Sequence, residues 1–567
     1  YDVVKDDIQI IFTKSQFKMH RYYDSWEEYK NCYKQYHCSA GLCNIEEARI
    51  KNARINYQML QTLTDLNEDE IKILTDKSIR KISSLCSSEE AMKEALGITP
   101  YNTNMTPFQK AVKLYPSLLN DTYAKDTLRD IKNSLLKKYR SGKLELYGKY
   151  TFILPDFYAA CQYWFQHDPQ PRGLLADQEV YCNLFRRHDK LDCLRSPHLY
   201  KEHAIRSNAA GPDAGGRSAV IRQWFTTPAL YTSSHDLISK MLQFDVDGDK
   251  ALVVAEPDFI SIAERNMTDI VPLYYNMRKA KPVPLNSKSM YEGLISAFTG
   301  GNIGVYSNDI AKIWNSEVFI TGTAPEKQEA VDVIKLLCCE NNFVIDYAKT
   351  LYKPERPAHI RKLVSKYTNA KLPAFFTFAK DKEPDQVAPR NQSFVNRLYD
   401  FIPNKAINTR SLKLEPIDYR KLMHDPKIRC ANEIQQLYDR LNRRYRYKIN
   451  LTGSREQNLS YVASELRRQF TASGYSEQLC ADMLIQYLYG NEKRYKEVLW
   501  FCFGEYLTEN LQHNLAPASA KYIQCIDCGE WQEVPIRSRS IRCTSCQTEH
   551  RRQSDRLRKQ KQSFPLI

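Results

Sequence analysis

The chain has 567 residues, 43% of them apolar and 11% aromatic, with a formal net charge of +15. These values exclude a disordered or low-complexity polymer, and no apolar run approaches the roughly 18 residues needed to span a bilayer. The basic balance favours a polyanionic partner, nucleic acid first, and the length allows about three to five domains.

The opening, Tyr1-Asp2-Val3-Val4-Lys5, carries no secretory signal and no initiator Met. It reads as the start of a fragment or a processed product. Ile8 to Phe12 reads as a strand running into Thr13–Met19, where Lys14 and Lys18 read most simply as surface lysines. Residues 59–140 read as helical. Asn67-Glu68-Asp69-Glu70 and Ser87-Ser88-Glu89-Glu90 each set a cap residue three positions before a Glu, the pattern of a helix start.

The character changes at residue 141. Gly142 to Phe152 alternates with period two and is punctuated by glycine, so strands are predicted there. Glu179–Phe185 is a further strand candidate, and Asn208–Gly216, with its Gly-Pro and Gly-Gly pairs, reads as a loop. A small β domain is expected to follow through Leu230-Tyr231-Thr232 to the stretch Gln243-Phe244-Asp245-Val246-Asp247-Gly248-Asp249-Lys250.

Three carboxylates at i, i+2 and i+4 in that stretch share one face if the chain is extended. Gly248 permits the tight turn that lets the third converge on the others. Such charges repel one another unless a cation lies between them, and oxygen-only ligands select a hard divalent ion, Mg²⁺ or Ca²⁺. Two other readings stand beside catalysis. In an EF-hand, Asp245, Asp247 and Asp249 fit positions 1, 3 and 5 and Glu256 fits position 12, but Lys250 occupies the place of the required glycine. A solvated Asp-Gly turn is the other reading. The run Ala251-Leu252-Val253-Val254-Ala255 has the look of a buried strand and argues against both.

Residues 266–520 read as mainly helical. Thr299–Gly304 is glycine-rich but lacks the Gly-Lys-Ser/Thr ending of a phosphate loop, so a hinge or a point of close backbone approach is expected. Residues 354–357 and 380–389 read as loops. Leu441–Tyr447, with Arg440, Arg443, Arg444 and Arg446, is either a basic patch or a solvated helix face. Cys525-x2-Cys528-x14-Cys543-x2-Cys546 then supplies four thiolates at the spacing of a tetrahedral Zn²⁺ site, which four thiolates close to chemistry and make structural; free cysteines are the alternative. The other twelve of the sixteen cysteines are scattered, as suits a reducing cytoplasm. Residues 551–561 form a basic tail that either contacts nucleic acid or is solvated and disordered.

The aspartate loop resembles the metal-binding motif of the two-barrel RNA polymerases, in which two double-psi β-barrels face each other across a cleft. The likeness is greatest to the single-chain enzymes encoded by some phages and prophages, with the eukaryotic RNA-dependent RNA polymerases of RNA silencing behind them. Leu194-Arg195-Ser196-Pro197-His198-Leu199 through Ile205-Arg206 is similar to the Arg-x-Pro segment ahead of that motif. Phe12–Met19 resembles the lysine-bearing segment of the first barrel, Asn56–Leu60 the start of the inter-barrel connector, and Ile345–Thr350 a segment after the second barrel. Together these cover roughly residues 8 to 380; the cysteine pairs lie outside the likeness.

The resemblance implies a double-psi β-barrel core and a large helical connector; with the C-terminal helical regions and the small zinc-ribbon-like module read from the residues themselves, the fold class expected is α+β. The chain is then expected to divide into part of a first barrel (1–58), a connector (59–140), the second barrel with the metal loop (141–265), a helical region (266–520), a zinc-binding module (521–550) and the basic tail (551–567). Only about 58 residues precede the connector, which is short for a whole barrel and suggests that the chain begins inside it. The implied reaction is Mg²⁺-dependent attack of an RNA 3′-hydroxyl on the α-phosphate of an NTP. Asp245, Asp247 and Asp249 would hold the metal. Lys18, then Lys14, then Lys30 or Lys34, would present cations from the opposite barrel, and Arg195 would contact nucleotide or RNA. The implied partners are a DNA or RNA template, RNA product and NTPs, without a membrane, with a monomer acting in the cytoplasm of a bacterial host. DNA is the expected template and RNA the second; a non-catalytic zinc-containing nucleic-acid-binding protein is the reading from another class.

Overall fold

A computed structural model describes every residue except 1–4, 9, 11–16, 18, 19, 42–48, 269, 272, 274–280, 282, 285, 348–351, 446–455, 516–519, 536, 537 and 563–567. The chain forms two compact units. One comprises Tyr1–Lys77 with Lys138–Ile402, the other Ser78–Lys137 with Pro403–Ile567.

The first unit contains a closed six-stranded barrel: β1 (Gly148–Pro155), β2 (Glu179–Tyr181), β3 (Lys190–Leu194), β4 (Ala204–Asn208), β5 (Leu230–Thr232) and β6 (Lys250–Val254). Around the barrel the order is β1-β5-β2-β4-β3-β6. The pairs β1–β5 and β2–β4 are parallel and the other four are antiparallel. A parallel pair needs a crossover connection, so two of them in so small a barrel force the chain to cross over itself. The interior is filled by Ile153, Val180, Leu191, Cys193, Leu230, Ala251 and Val253. Leu252 and Val254, on the opposite face of β6, are also fully buried. A strand covered on both faces needs apolar residues at successive positions, which is why Ala251–Ala255 shows no alternation. Each buried Leu or Val of the run contributes roughly 1.5–3 kcal/mol by leaving water.

Helices Ile303–Trp314, Ala324–Ile345 and Ala358–Thr368 build a second core in this unit around Trp314, Ile334 and Leu337, which Leu199 and Tyr200 join. Trp314 Nε1 donates to Leu199 O at 2.9 Å, fixing the segment after β3. Of the two expectations for Thr299–Gly304, the close approach is observed: a Cβ on Gly300 would lie 2.1 Å from the Tyr347 ring.

Among its described residues, the second unit is helical apart from one hairpin. Its core packs Phe108 edge-on to Trp500 at 5.0 Å between ring centroids, with Leu128, Leu437, Leu484 and Phe503 around them. The buried Lys496 ammonium donates to Asp121 Oδ1 at 2.8 Å and to Thr122 Oγ1 at 2.9 Å. Tyr489 donates to the other Asp121 oxygen at 3.0 Å, so the buried charges are fully engaged.

Caps account for the helix starts. The side chain of Asn67 accepts from the N–H groups of Asp69 and Glu70, and Glu70 accepts from the Asn67 N–H, a complete capping box ahead of helix Glu68–Ser87. At the next start the cap is Ser88, accepting from Ala91 N; Ser87 instead ends the preceding helix, so the expected Ser87–Glu90 box gives way to a single side-chain cap one residue later. Within 179–185, the strand stops at Tyr181 and a 3₁₀ turn takes Asn183–Phe185. The Asn208–Gly216 loop passes into helix Gly215–Trp224. Arg440, Arg443 and Arg444 lie on the exposed side of helix Asn432–Tyr445, opposite buried Leu437, Tyr438 and Leu441. The basic tail is helical as far as Gln562, continuing the helix that starts at Thr544. Arg446 and most of Ile8–Met19 lie outside the described residues.

Candidate catalytic loop and cysteine cluster

Helix Ile238–Leu242 ends at Gln243, whose left-handed backbone (φ 51°) turns the chain out of the helix and into the aspartates. Gly248 sits at φ 116°, a conformation open to glycine and strained for any side chain. The chain then re-enters the barrel: Ile153 N donates to Asp249 O at 2.9 Å, one rung before β6. Asp249 is therefore fixed by the sheet through its backbone, while Asp245 and Asp247 stand exposed on the turn.

The barrel register brings Arg195 to this loop. β3 and β6 run antiparallel with Leu194 opposite Leu252, so the residue after Leu194 lies beside those just before Leu252. Arg195 Nη2 meets Asp249 Oδ2 at 2.8 Å and Nη1 donates to Gln243 O at 2.9 Å. The same Asp249 oxygen accepts from Asp245 N at 3.0 Å. One guanidinium thus ties the entrance of the loop to its exit and neutralises one of the three carboxylates. Beside it, Ser196 Oγ accepts from Asn56 Nδ2 at 3.3 Å, and the Lys250 ammonium lies 4.6 Å from the centre of the Phe152 ring.

A second arginine supports the loop from behind. Arg206 on β4 forms a two-pronged pair with Asp236, one prong at 2.8 Å, and both side chains are buried. Asp236 Oδ1 also accepts from Ile238 N at 3.1 Å, capping the short helix that leads to the aspartates. Sequence reading found Arg206 within a resembling segment but missed Asp236. A lone Asp-Leu-Ile carries no local sign that a strand 30 residues upstream supplies its partner.

Among the described residues, the His, Cys, Asp and Glu ligand atoms that gather in a group of three or more are the four cysteines, all within 4.8 Å of one another. The three aspartates form no such group, and Arg195 pairs with Asp249. Three carboxylates on a glycine-hinged turn, two of them exposed, are the donor set a hard cation takes. Lys14 and Lys18 lie outside the described residues. Lys30 pairs with Glu27 at 2.6 Å on helix Trp26–Gln35, and Lys34 lies in the last turn of that helix.

In the second unit, β7 (Ala520–Gln524) and β8 (Trp531–Pro535) form an antiparallel hairpin whose turn carries Cys525 and Cys528. Cys525 N donates to Glu530 O at 2.8 Å, and Gly529 (φ 70°) donates back to Cys525 O at 2.9 Å, which bends the turn into a knuckle. Cys543 and Cys546 stand at the start of helix Thr544–Gln562. The Cys528 and Cys543 sulfurs are 3.7 Å apart. A tetrahedron with Zn–S bonds of 2.3 Å has edges of about 3.8 Å, so the spacing fits zinc. Burial opposes a thiolate at Cys525, but backbone N–H groups of Cys543, Cys528 and Asp527 outweigh it and bring that thiol down to about 6. Hydrogen bonding with Cys528 and Cys543 pushes Cys546 up. A cluster that accommodates one anion and resists the next is the electrostatics expected where a cation belongs.

Among the described residues, no helix is long and apolar enough to cross a membrane. No family model matches the chain. Over 547 residues, 96% of its length, the chain is 40% identical to the DNA-directed RNA polymerase YonO of Bacillus phage SPbeta, and it spans 62% of that protein. Among solved structures, the RNA dependent RNA polymerase QDE-1 from Thielavia terrestris is similar with a TM-score of 0.39 and 13% sequence identity, covering 82% of this chain and 57% of that one.

Proposed function

We propose, from this kinship with a phage DNA-directed RNA polymerase, that the chain carries the catalytic part of a single-chain RNA polymerase that copies a DNA template. In the reaction an RNA 3′-oxygen attacks the α-phosphorus of an NTP, a phosphodiester forms and pyrophosphate leaves. The observation that carries the reading is the aspartate loop itself: three carboxylates set at the mouth of a closed barrel and braced by two arginines from neighbouring strands. The interlocked parallel pairs β1–β5 and β2–β4 support a double-psi reading of that barrel.

Asp245, Asp247 and Asp249 would hold Mg²⁺, which when bound favours ionisation of the attacking hydroxyl and offsets charge on the phosphates. The protein's own contribution is position. The sheet fixes Asp249, Gly248 lets Asp245 and Asp247 swing toward it, and Arg195 limits how far the loop opens. Lys18 and Lys14 are proposed to face the phosphates from the first barrel. The four cysteines would hold a structural Zn²⁺, leaving no coordination position for chemistry.

Incorporation of NTPs on single-stranded DNA and on single-stranded RNA, with Mg²⁺ present, tests the reading. Synthesis on DNA that disappears in Asp247→Asn is expected. Full activity in that variant would sink the site, and synthesis confined to RNA would move the chain to the RNA-directed class. Because the chain spans 62% of its relative, Mn²⁺ binding followed by electron paramagnetic resonance reads the loop independently of synthesis. Wild type should bind the ion and Asp247→Asn should lose it.

A further inference from the structure

The second unit contains a cavity that no step above uses. It has a volume of about 200 Å³ and lies between the residues leading into helix Pro107–Leu114 and the cysteine knuckle. The Trp531 ring lines it from the hairpin. Thr103, Asn104 and Gln524 bring hydrogen-bonding groups, and Lys110 and Lys113 bring cations. The Lys113 ammonium pairs with the Glu530 carboxylate, which also lines the cavity. Trp531 Nε1 is buried and takes no acceptor among the described residues.

We infer that this cavity binds one unstacked nucleobase of a single-stranded nucleic acid. Its size suits one planar base. An indole supplies the stacking surface that every base accepts, and amide and hydroxyl groups can meet the base edges. Two lysines stand where the flanking phosphates would pass. The module around it has the matching charge: residues 521–567 hold ten Lys and Arg against five Asp and Glu. Arg551 and Arg552 are exposed on the helix that follows the knuckle. Because Cys528 and Gly529 line the cavity and Cys528 is one of the four clustered thiols, the base site and the cysteine cluster share a wall. The inference takes only the identity of the polymer from the polymerase reading.

The experiment compares binding of a fluorescent single-stranded oligonucleotide with binding of the same backbone made wholly abasic, using the full chain. Wild type should favour the base-bearing strand. Trp531→Ala should shrink that preference about tenfold and Trp531→Phe should keep most of it. A strand carrying 5-iodouracil should cross-link under light to a peptide containing Trp531 or residues 102–113. Lys110→Gln, which leaves the hairpin intact, should weaken both strands equally and steepen neither preference. An unchanged preference in Trp531→Ala, with no cross-link in either segment, overturns the inference, as does binding of a protein partner there that single strands fail to displace. Asp247→Asn should bind and cross-link as wild type does, so failure of the catalytic reading leaves a different trace from failure of this one.

Discussion

The aspartate loop and the cysteine cluster are both candidate ligand sets, yet they are arranged in opposite ways. The four sulfurs lie within 4.8 Å of one another, whereas the carboxylates form no such group and one is held by Arg195. The difference follows from charge. Thiols are ordinarily neutral at pH 7 and can lie close together, and Cys525 is drawn toward the thiolate by backbone N–H groups. Carboxylates are ionised at that pH as a class, and three of them close together cost several kcal/mol without a cation. Four thiols can therefore lie together as neutral groups, while a set of carboxylates calls for a neighbouring positive charge, and beside Asp249 Arg195 supplies one.

Breaking the cysteine cluster should have the largest effect. Cys528→Ser is expected to take bound zinc from about one per chain to none, measured by metal release to a chromogenic chelator, and to unfold the hairpin, since structural zinc stabilises small modules by about 10–16 kcal/mol. Zinc retained at full stoichiometry would remove the contrast drawn here. Next comes the scaffold behind the open site. Arg206→Met leaves Asp236 buried and unpaired, which should lower stability by about 3–5 kcal/mol in urea denaturation. A variant as stable as wild type would show that the pair is solvated. Asp247→Asn should reduce nucleotide incorporation by on the order of 10²–10³-fold with the melting temperature unchanged, because its side chain is exposed. Arg195→Ala should be the mildest: the Mn²⁺ concentration for half-saturation should rise about tenfold, because the loop loses its brace. If saturation instead came at lower Mn²⁺, Arg195 would be a competitor of the ion and not a positioning group.

The linear sequence displayed the chemistry of both regions better than their supports. Asp245, Asp247, Asp249 and the Cys-x2-Cys pairs could be read because each set is local, with its spacing dictated by the ion it suits. The strand at Lys250–Val254 was visible because burial on both faces leaves an unbroken apolar run. Arg195 was singled out as a contact for nucleotide or RNA; its hold on Asp249, 54 residues further along, depends on the pairing of β3 with β6, which no local pattern encodes. Arg206 with Asp236 is of the same kind. The shift of the second helix cap from Ser87 to Ser88 has a different cause: with two serines in a row, the end of the preceding helix decides which one is left to cap.

The rung from Ile153 N to Asp249 O makes the three carboxylates mechanically unequal. Asp249 is an anvil, its place inherited from the barrel wall, and Asp245 and Asp247 are fingers on a jointed arm. On the proposed reading, an ion bound in such a grip would have its position set by the wall and its dwell time set by the arm. Loop substitutions should then change how long a cation stays, while a displacement of β1 would change where it sits.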